Sequence, residues 1–149
     1  MLSLGMDIGT STVKLVLLRD GAMAKQWMAV HHGRPFACLK KGLSALELDA
    51  DTPFSLCVTG SNTEALLEQA PDIPSFGDIP AVVEGVRQIV PQAGSVIEIG
   101  SQGARFITDL QSRALQFSVN EHCAGGTGSF FEDQMSRVGC RLGDYSSLV

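Results

Sequence analysis

Asp7-Ile8-Gly9-Thr10-Ser11-Thr12-Val13-Lys14 ends one apolar strand and begins the next, and its pattern returns as Glu98-Ile99-Gly100-Ser101-Gln102-Gly103-Ala104-Arg105. Both stretches read acid, Ile, Gly, hydroxyl, and then a base seven places after the acid. Leu2, Leu4, Met6 and Ile8 alternate ahead of the first copy and the run from Val13 to Leu18 is apolar behind it, so the first copy is the turn of a hairpin. Residues 95–99 and 104–109 build the same hairpin around the second. Each template sets a carboxylate at a strand end beside small residues whose amides and hydroxyls can face phosphate oxygens. An acid next to such a turn makes chemical sense with Mg²⁺ between them, because that ion keeps several waters and takes one or two carboxylates plus phosphate oxygens. One such hairpin alone is more simply read as a solvated connection, since short acid-Gly-hydroxyl turns are common. Its repetition favours a nucleotide site in which Asp7 and Glu98 hold the metal or its waters. Phosphoryl transfer needs positioning and charge neutralisation more than a covalent protein nucleophile, so the pair suits an ATPase.

Working outward, Asp20-Gly21 is a hairpin signal that leads into a third strand over residues 22–30, and three antiparallel strands open the fold. From Pro35, the helical spacing of Phe36, Leu39, Leu43 and Leu46 predicts a helix, which the stretch from Asp49 to Pro53 breaks. Residues 54–59 read as a buried strand ending at Gly60, followed by a short helix over 63–69. Pro80 suits the first turn of a further helix, with Val82 or Val83, Val86, Ile89 and Val90 inward. Residues 114–119 form another strand, and a last helix over 129–138 carries Phe131, Met135 and Val138 on one face.

That last strand leads into Asn120-Glu121-His122-Cys123-Ala124-Gly125-Gly126-Thr127-Gly128-Ser129-Phe130. Bare glycine backbone and a positive helix end converge on a thiol there, a setting that binds anions and favours the thiolate of Cys123. Cys123 is open to three readings: nucleophile, metal or cluster ligand, or structural thiol. A base would have to be His122, but neighbouring residues in an extended segment point to opposite faces. A cluster needs more thiolates than this segment has, unless a dimer axis supplies them. Cys38 and Cys57 read as small buried residues, and His31 and His32 as a polar strand end rather than metal ligands.

The 149 residues are 44% hydrophobic, enough to bury an ordinary core. A net charge of −5 without a basic run excludes nucleic acid and anionic membrane as main partners. A small anion remains compatible, since backbone amides bind it without a basic patch. No apolar run approaches the roughly 20 residues of a membrane span, and Met1-Leu2-Ser3-Leu4 lacks a signal peptide's features, so a cytoplasmic location is expected. There is no GxxxxGK[ST] motif, and the glycines after Cys123 do not open a Rossmann unit.

Residues 6–14, 96–105 and 120–130 together resemble the activators of 2-hydroxyacyl-CoA dehydratases and the related ATPase subunits of benzoyl-CoA reductase, the BadF/BadG/BcrA/BcrD ATPase family. The resemblance covers nearly the whole chain, and Cys123-Ala124-Gly125-Gly126-Thr127-Gly128 is its most specific part. It implies an α/β, ribonuclease-H-like fold of the actin, hexokinase and Hsp70 type, with residues 1–92 as a first subdomain and 93–149 as the start of a second. It implies that Asp7, Gly9, Thr10, Ser11, Thr12 and Lys14 serve a first phosphate loop, with Asp7 on Mg²⁺ directly or through water. Glu98, Gly100, Ser101 and Gln102 would serve the second, with Asp7, Glu98 and Gln102 catalytic, and Gly125, Gly126, Thr127 and Gly128 would be cofactor-binding as well, their bare backbone approaching a phosphate of ATP or ADP or the cluster. Cys123 would ligate a 4Fe-4S cluster shared across a homodimer, and ATP hydrolysis would drive a low-potential electron into a dehydratase or reductase partner. The family's second loop usually reads Asp-Ile-Gly-Gly-Gln-Asp, from which Glu98, Ser101 and Gly103 depart. Its second cluster cysteine and adenosine site lie further along than Val149, so the chain reads as an N-terminal fragment that lacks the cluster. Two other classes fit the hairpins: an actin-like nucleotide-binding regulatory module without turnover, and a carbohydrate or acetate kinase relative.

Overall fold

The structure, a computed structural model, describes residues 1–49, 51–101, 103–112, 114–120 and 128–147. Strands β1 (Leu2–Ile8) and β2 (Thr12–Arg19) pair antiparallel from Leu2↔Arg19 to Ile8↔Val13, so the alternating residues of β1 meet the apolar run of β2 on one face. Asp20 and Gly21 both lie at positive φ, the requirement of a tight hairpin turn, and carry the chain into β3 (Ala22–Val30). The terminal ammonium of Met1 pairs with Asp20 at this turn and holds that carboxyl below its usual range. Strand β4 (Phe54–Thr59) then runs parallel to β1, from Leu2↔Phe54 to Asp7↔Thr59, giving the order β3-β2-β1-β4. As an edge strand, β4 is not the wholly buried strand its composition suggests. Phe54 is exposed, Cys57 is half-buried, and Val58 alone is fully enclosed.

Helix α1 (Pro35–Ala45) covers the face of this sheet that carries Leu15 and Trp27, and Leu39, Leu43 and Leu46 of the predicted spacing pack into the core. Cys38, Leu39 and Gly42 are buried, as is Leu46 just past the helix, while Phe36 points outward. The helix packs closely on the sheet at Gly42. A Cβ placed on Gly42 would lie 2.5 Å from Trp27 Cε3 and 2.7 Å from Leu15 Cδ1, so the helix approaches the sheet most closely at its glycine. Gly42→Ala is expected to destabilise this layer by about 1–3 kcal/mol through overpacking, measured by urea denaturation. The short helix α2 (Glu64–Gln69) adds Leu66 and Leu67 to the same core.

Helix α3 (Asp78–Ile89) starts ahead of Pro80, which stays in the first turn where its missing N–H costs nothing. Val83 is its buried residue. Ile89, expected to face inward, is 82% exposed, since the helix ends there. The chain forms two compact units, Met1–Val82 and Val83–Val149, whose boundary falls within α3. In the second unit β5 (Ser95–Ile99), β6 (Ala104–Thr108) and β7 (Gln116–Val119) form an antiparallel meander. Ile107 and Leu110 are its fully buried side chains. Leu110 lies in the loop after β6, which Arg87 clamps by donating from Nε to the Leu110 carbonyl (2.6 Å) and from Nη2 to that of Ser112 (3.1 Å). Helix α4 (Gly128–Arg137) buries Met135 and sets Phe131 edge-on to Tyr145 of a closing 3₁₀ turn, Leu142–Ser147, with ring centroids 5.1 Å apart. Val138, expected on the inner face, follows the helix end and is exposed.

Candidate functional site

The two echoed stretches fold into the same object. In the first, Asp7 and Lys14 face each other across β1 and β2, and Lys14 Nζ lies 2.7 Å from Asp7 Oδ2. In the second, Glu98 and Arg105 are partners across β5 and β6, with Arg105 Nη1 3.1 Å from Glu98 Oε2. The first glycine of each turn donates its N–H to the carbonyl three residues on: Gly9 to Thr12 at 3.0 Å and Gly100 to Gly103 at 2.7 Å. A seven-residue offset between acid and base is what a hairpin of this length requires for cross-strand pairing. The sequence echo is therefore a shared geometry as well as a shared spelling.

The first turn is held from two sides. Asn62, which follows Gly60 at the end of β4, donates from its backbone N–H to the Ile8 carbonyl (2.9 Å) and from Nδ2 to the Gly9 carbonyl (2.7 Å). His31, at the end of β3, donates its backbone N–H to the Ser11 carbonyl (3.0 Å) and places Nε2 3.2 Å from the Gly9 carbonyl. Thr10 Oγ1 and Ser61 Oγ are 2.9 Å apart. Behind them Asp78 Oδ1 accepts from the Gly60 N–H (3.2 Å) and from Thr59 Oγ1 (3.3 Å), tying the start of α3 to the same corner. Asp7 is partly exposed, and its Oδ1 would be 2.7 Å from a Cβ on Gly60. Asp7 is a half-buried carboxylate whose Oδ2 pairs with Lys14, and the adjoining turn supplies the hydroxyls of Thr10, Ser11 and Thr12; a carboxylate beside hydroxyls is a donor set of the kind a largely hydrated magnesium ion takes.

The second turn is held by helix α4. Gly128 donates its N–H to the Gly100 carbonyl at 2.6 Å, and a Cβ on Gly128 would stand 2.9 Å from that oxygen. Gly128→Ala is expected to loosen this contact and shift the Gly100 and Ser101 amide resonances in a ¹⁵N spectrum. Gln102, Cys123, Gly125, Gly126 and Thr127 lie outside the described residues. Among the described residues no three His, Cys, Asp or Glu side chains gather as a metal site. Cys38 is buried on the core-facing side of α1, and burial raises the pKa of the half-buried Cys57 thiol. Cys57 is expected to react with iodoacetamide at pH 8 more slowly in the folded chain than after urea unfolding, read by peptide mass mapping.

Reading the sequence alone gives no site role to His31, Gly60, Ser61, Asn62 or Asp78, although His31 reads there as a polar strand end and Gly60 as the end of a strand. The cluster Gly60-Ser61-Asn62 directly after a strand is the one signal that marks a second small-residue loop at the same sheet end. His31 carries no local signal, because its role depends on where β3 ends relative to Gly9.

No helix among the described residues is long and apolar enough to cross a membrane. No family model matches the chain. It is 32% identical over 143 residues to the activator of lactoyl-CoA dehydratase of Anaerotignum propionicum, an alignment covering 93% of this chain and 54% of that protein. It is 26% identical over 150 residues to the (R)-2-hydroxyglutaryl-CoA dehydratase activating ATPase of Acidaminococcus fermentans, covering 98% and 57%. The solved activator of the 2-hydroxyisocaproyl-CoA dehydratase from Clostridium difficile with bound ADPNP superposes with a TM-score of 0.77 at 25% identity, over 99% of this chain and 56% of that one. The α/β architecture is thus the actin-like ATPase fold. The chain spans about half the length of the curated relatives it matches.

Proposed function

This chain belongs to the family of 2-hydroxyacyl-CoA dehydratase activators and benzoyl-CoA reductase ATPase subunits, and from that premise we propose that it carries the phosphate-binding part of an ATP-driven activator. The observation behind this reading is the duplicated hairpin, with the same ion pair and the same turn hydrogen bond in both copies. Asp7 would hold Mg²⁺ or its waters, and the turn of Gly9, Thr10, Ser11 and Thr12 would present amides and hydroxyls to phosphate oxygens, with Lys14 neutralising charge beside them. Glu98, Gly100, Ser101 and Gln102 would act in the same way in the second hairpin. Bound Mg²⁺ would supply charge neutralisation on the phosphates. The name of the Acidaminococcus relative, an activating ATPase, and the ADPNP in the solved relative support the nucleotide.

The finer proposal is that Cys123 is one protein ligand of a 4Fe-4S cluster shared by two copies in a cytoplasmic homodimer, and that the recipient of the electron is a dehydratase or reductase component. The cluster would supply a one-electron carrier, and the glycines from Gly125 to Gly128 would leave backbone free to approach it. Anaerobic reconstitution with iron and sulfide, on a protein spanning the length of these relatives, tests this. A brown, oxygen-labile protein whose colour disappears in Cys123→Ala supports the activator, and a protein that stays colourless overturns the electron-transfer part. For these 149 residues alone, ATP turnover in a phosphate-release assay is expected to be near background, because the chain spans about half of its relatives. Substantial turnover would overturn that expectation.

A further inference from the structure

The geometry points to His31 and Asn62 as positioning residues that hold the Gly9 carbonyl inward so that the Thr10 amide faces an anion; the inference rests on the nucleotide reading above. The Gly9 carbonyl and the Thr10 N–H belong to one planar trans peptide and point in opposite directions. Whatever captures the carbonyl therefore aims the amide. A plain two-residue hairpin would return that carbonyl to the N–H of Thr12. Here both of its lone-pair directions are taken from elsewhere: Asn62 Nδ2 donates at 2.7 Å and His31 Nε2 lies at 3.2 Å. The two donors come from the ends of separate strands, β4 and β3, so the peptide is fixed by the sheet and not by its own turn.

The imidazole is committed to this task. Its Nδ1 accepts the Gly33 N–H at 3.1 Å, which leaves the ring proton on Nε2, the atom turned to Gly9. His31 is the buried polar side chain of the described core, while Thr10, beyond the latched carbonyl, is exposed. The second hairpin repeats the arrangement with a different donor, since the Gly100 carbonyl takes the Gly128 N–H at 2.6 Å. Capture of the first turn carbonyl is thus common to both copies of the template. It pre-orders an amide that would otherwise have to be oriented at the moment of binding.

The test is a titration of the ¹⁵N-labelled 149-residue chain with MgADP, following the Thr10 amide cross-peak. Wild type is expected to show a saturable shift, and His31→Ala and Asn62→Ala are each expected to weaken binding about three- to tenfold, the worth of one hydrogen bond. His31→Gln places an amide N–H near the Nε2 position and is expected to restore binding to within about twofold, whereas His31→Asn replaces only the Nδ1 acceptor and is not. A merely structural histidine would not separate Gln from Asn, and this pair decides the matter even where an alanine variant unfolds. Wild-type binding with Gln and Asn equivalent, or with both alanine variants unchanged, overturns the latch alone. No shift in wild type at millimolar MgADP overturns the nucleotide reading itself and the latch with it.

Discussion

Gly60→Ala is expected to be among the most damaging single-methyl changes in the chain, lowering stability by roughly 2–4 kcal/mol as strain and overpacking combine. Gly60 sits at φ 108°, a left-handed region that L side chains rarely adopt. The added Cβ would lie 2.5 Å from both the carbonyl carbon and the carbonyl oxygen of Ile8, and 2.7 Å from Asp7 Oδ1. Those first two atoms are backbone of β1, which is flanked by β2 and β4 and cannot move aside. The relaxation left is for Gly60 and its followers to retreat, which would pull Asn62 from the Ile8 and Gly9 carbonyls and Gly60 from Asp78. One substitution should therefore lower the urea midpoint and also weaken MgADP binding. A variant that melts within a degree of wild type would refute the steric argument.

Leu15→Ala is expected to cost about 2–5 kcal/mol, the range for a fully enclosed leucine whose cavity cannot collapse. Leu15 has no exposure, lies in β2 between Met6 of β1 and Trp27 of β3, and reaches toward Gly42 of α1. Glycine has no side chain to lean into the space left behind, and Trp27 is already packed over the same glycine. At about 0.05–0.15 kcal/mol per residue, the 82-residue first unit has roughly 4–12 kcal/mol in total, so this one truncation removes from about a sixth of it to most of it. Chemical denaturation followed by tryptophan fluorescence reads it directly, because the single Trp27 reports on the affected layer. A loss below about 1 kcal/mol would show that the α1 layer closes on the gap.

Strands and hairpins were largely legible in the residues. The alternation in β1, the apolar run of β2, Asp20-Gly21 and the repeated acid-turn-base template each act locally, within a few residues. Helix faces were less so. Phe36, Ile89 and Val138 fit a helical period but lie outward, because period alone does not say which stripe meets a neighbour. Phe36 stands in the first turn of α1, ahead of the buried Cys38, Leu39 and Gly42, and helix ends left Ile89 and Val138 exposed. The corner at Asp7 was half visible: Asp7 and the Gly9 to Thr12 turn from their spelling, and the Gly60 to Asn62 loop only as the end of a strand.

What the sequence by itself determined was the pair of hairpins, each with an acid and a base seven residues apart, and the structure closes those into ion pairs because that offset makes them cross-strand partners at this turn length. The tertiary structure alone decided that His31 and Asn62 converge on the Gly9 carbonyl. Their places in the chain are 22 and 53 residues away from it, and only the parallel pairing of β4 with β1 and the register of β3 on β2 bring them there. Local spelling sets which groups a turn offers, and long-range strand register sets which of them are held still.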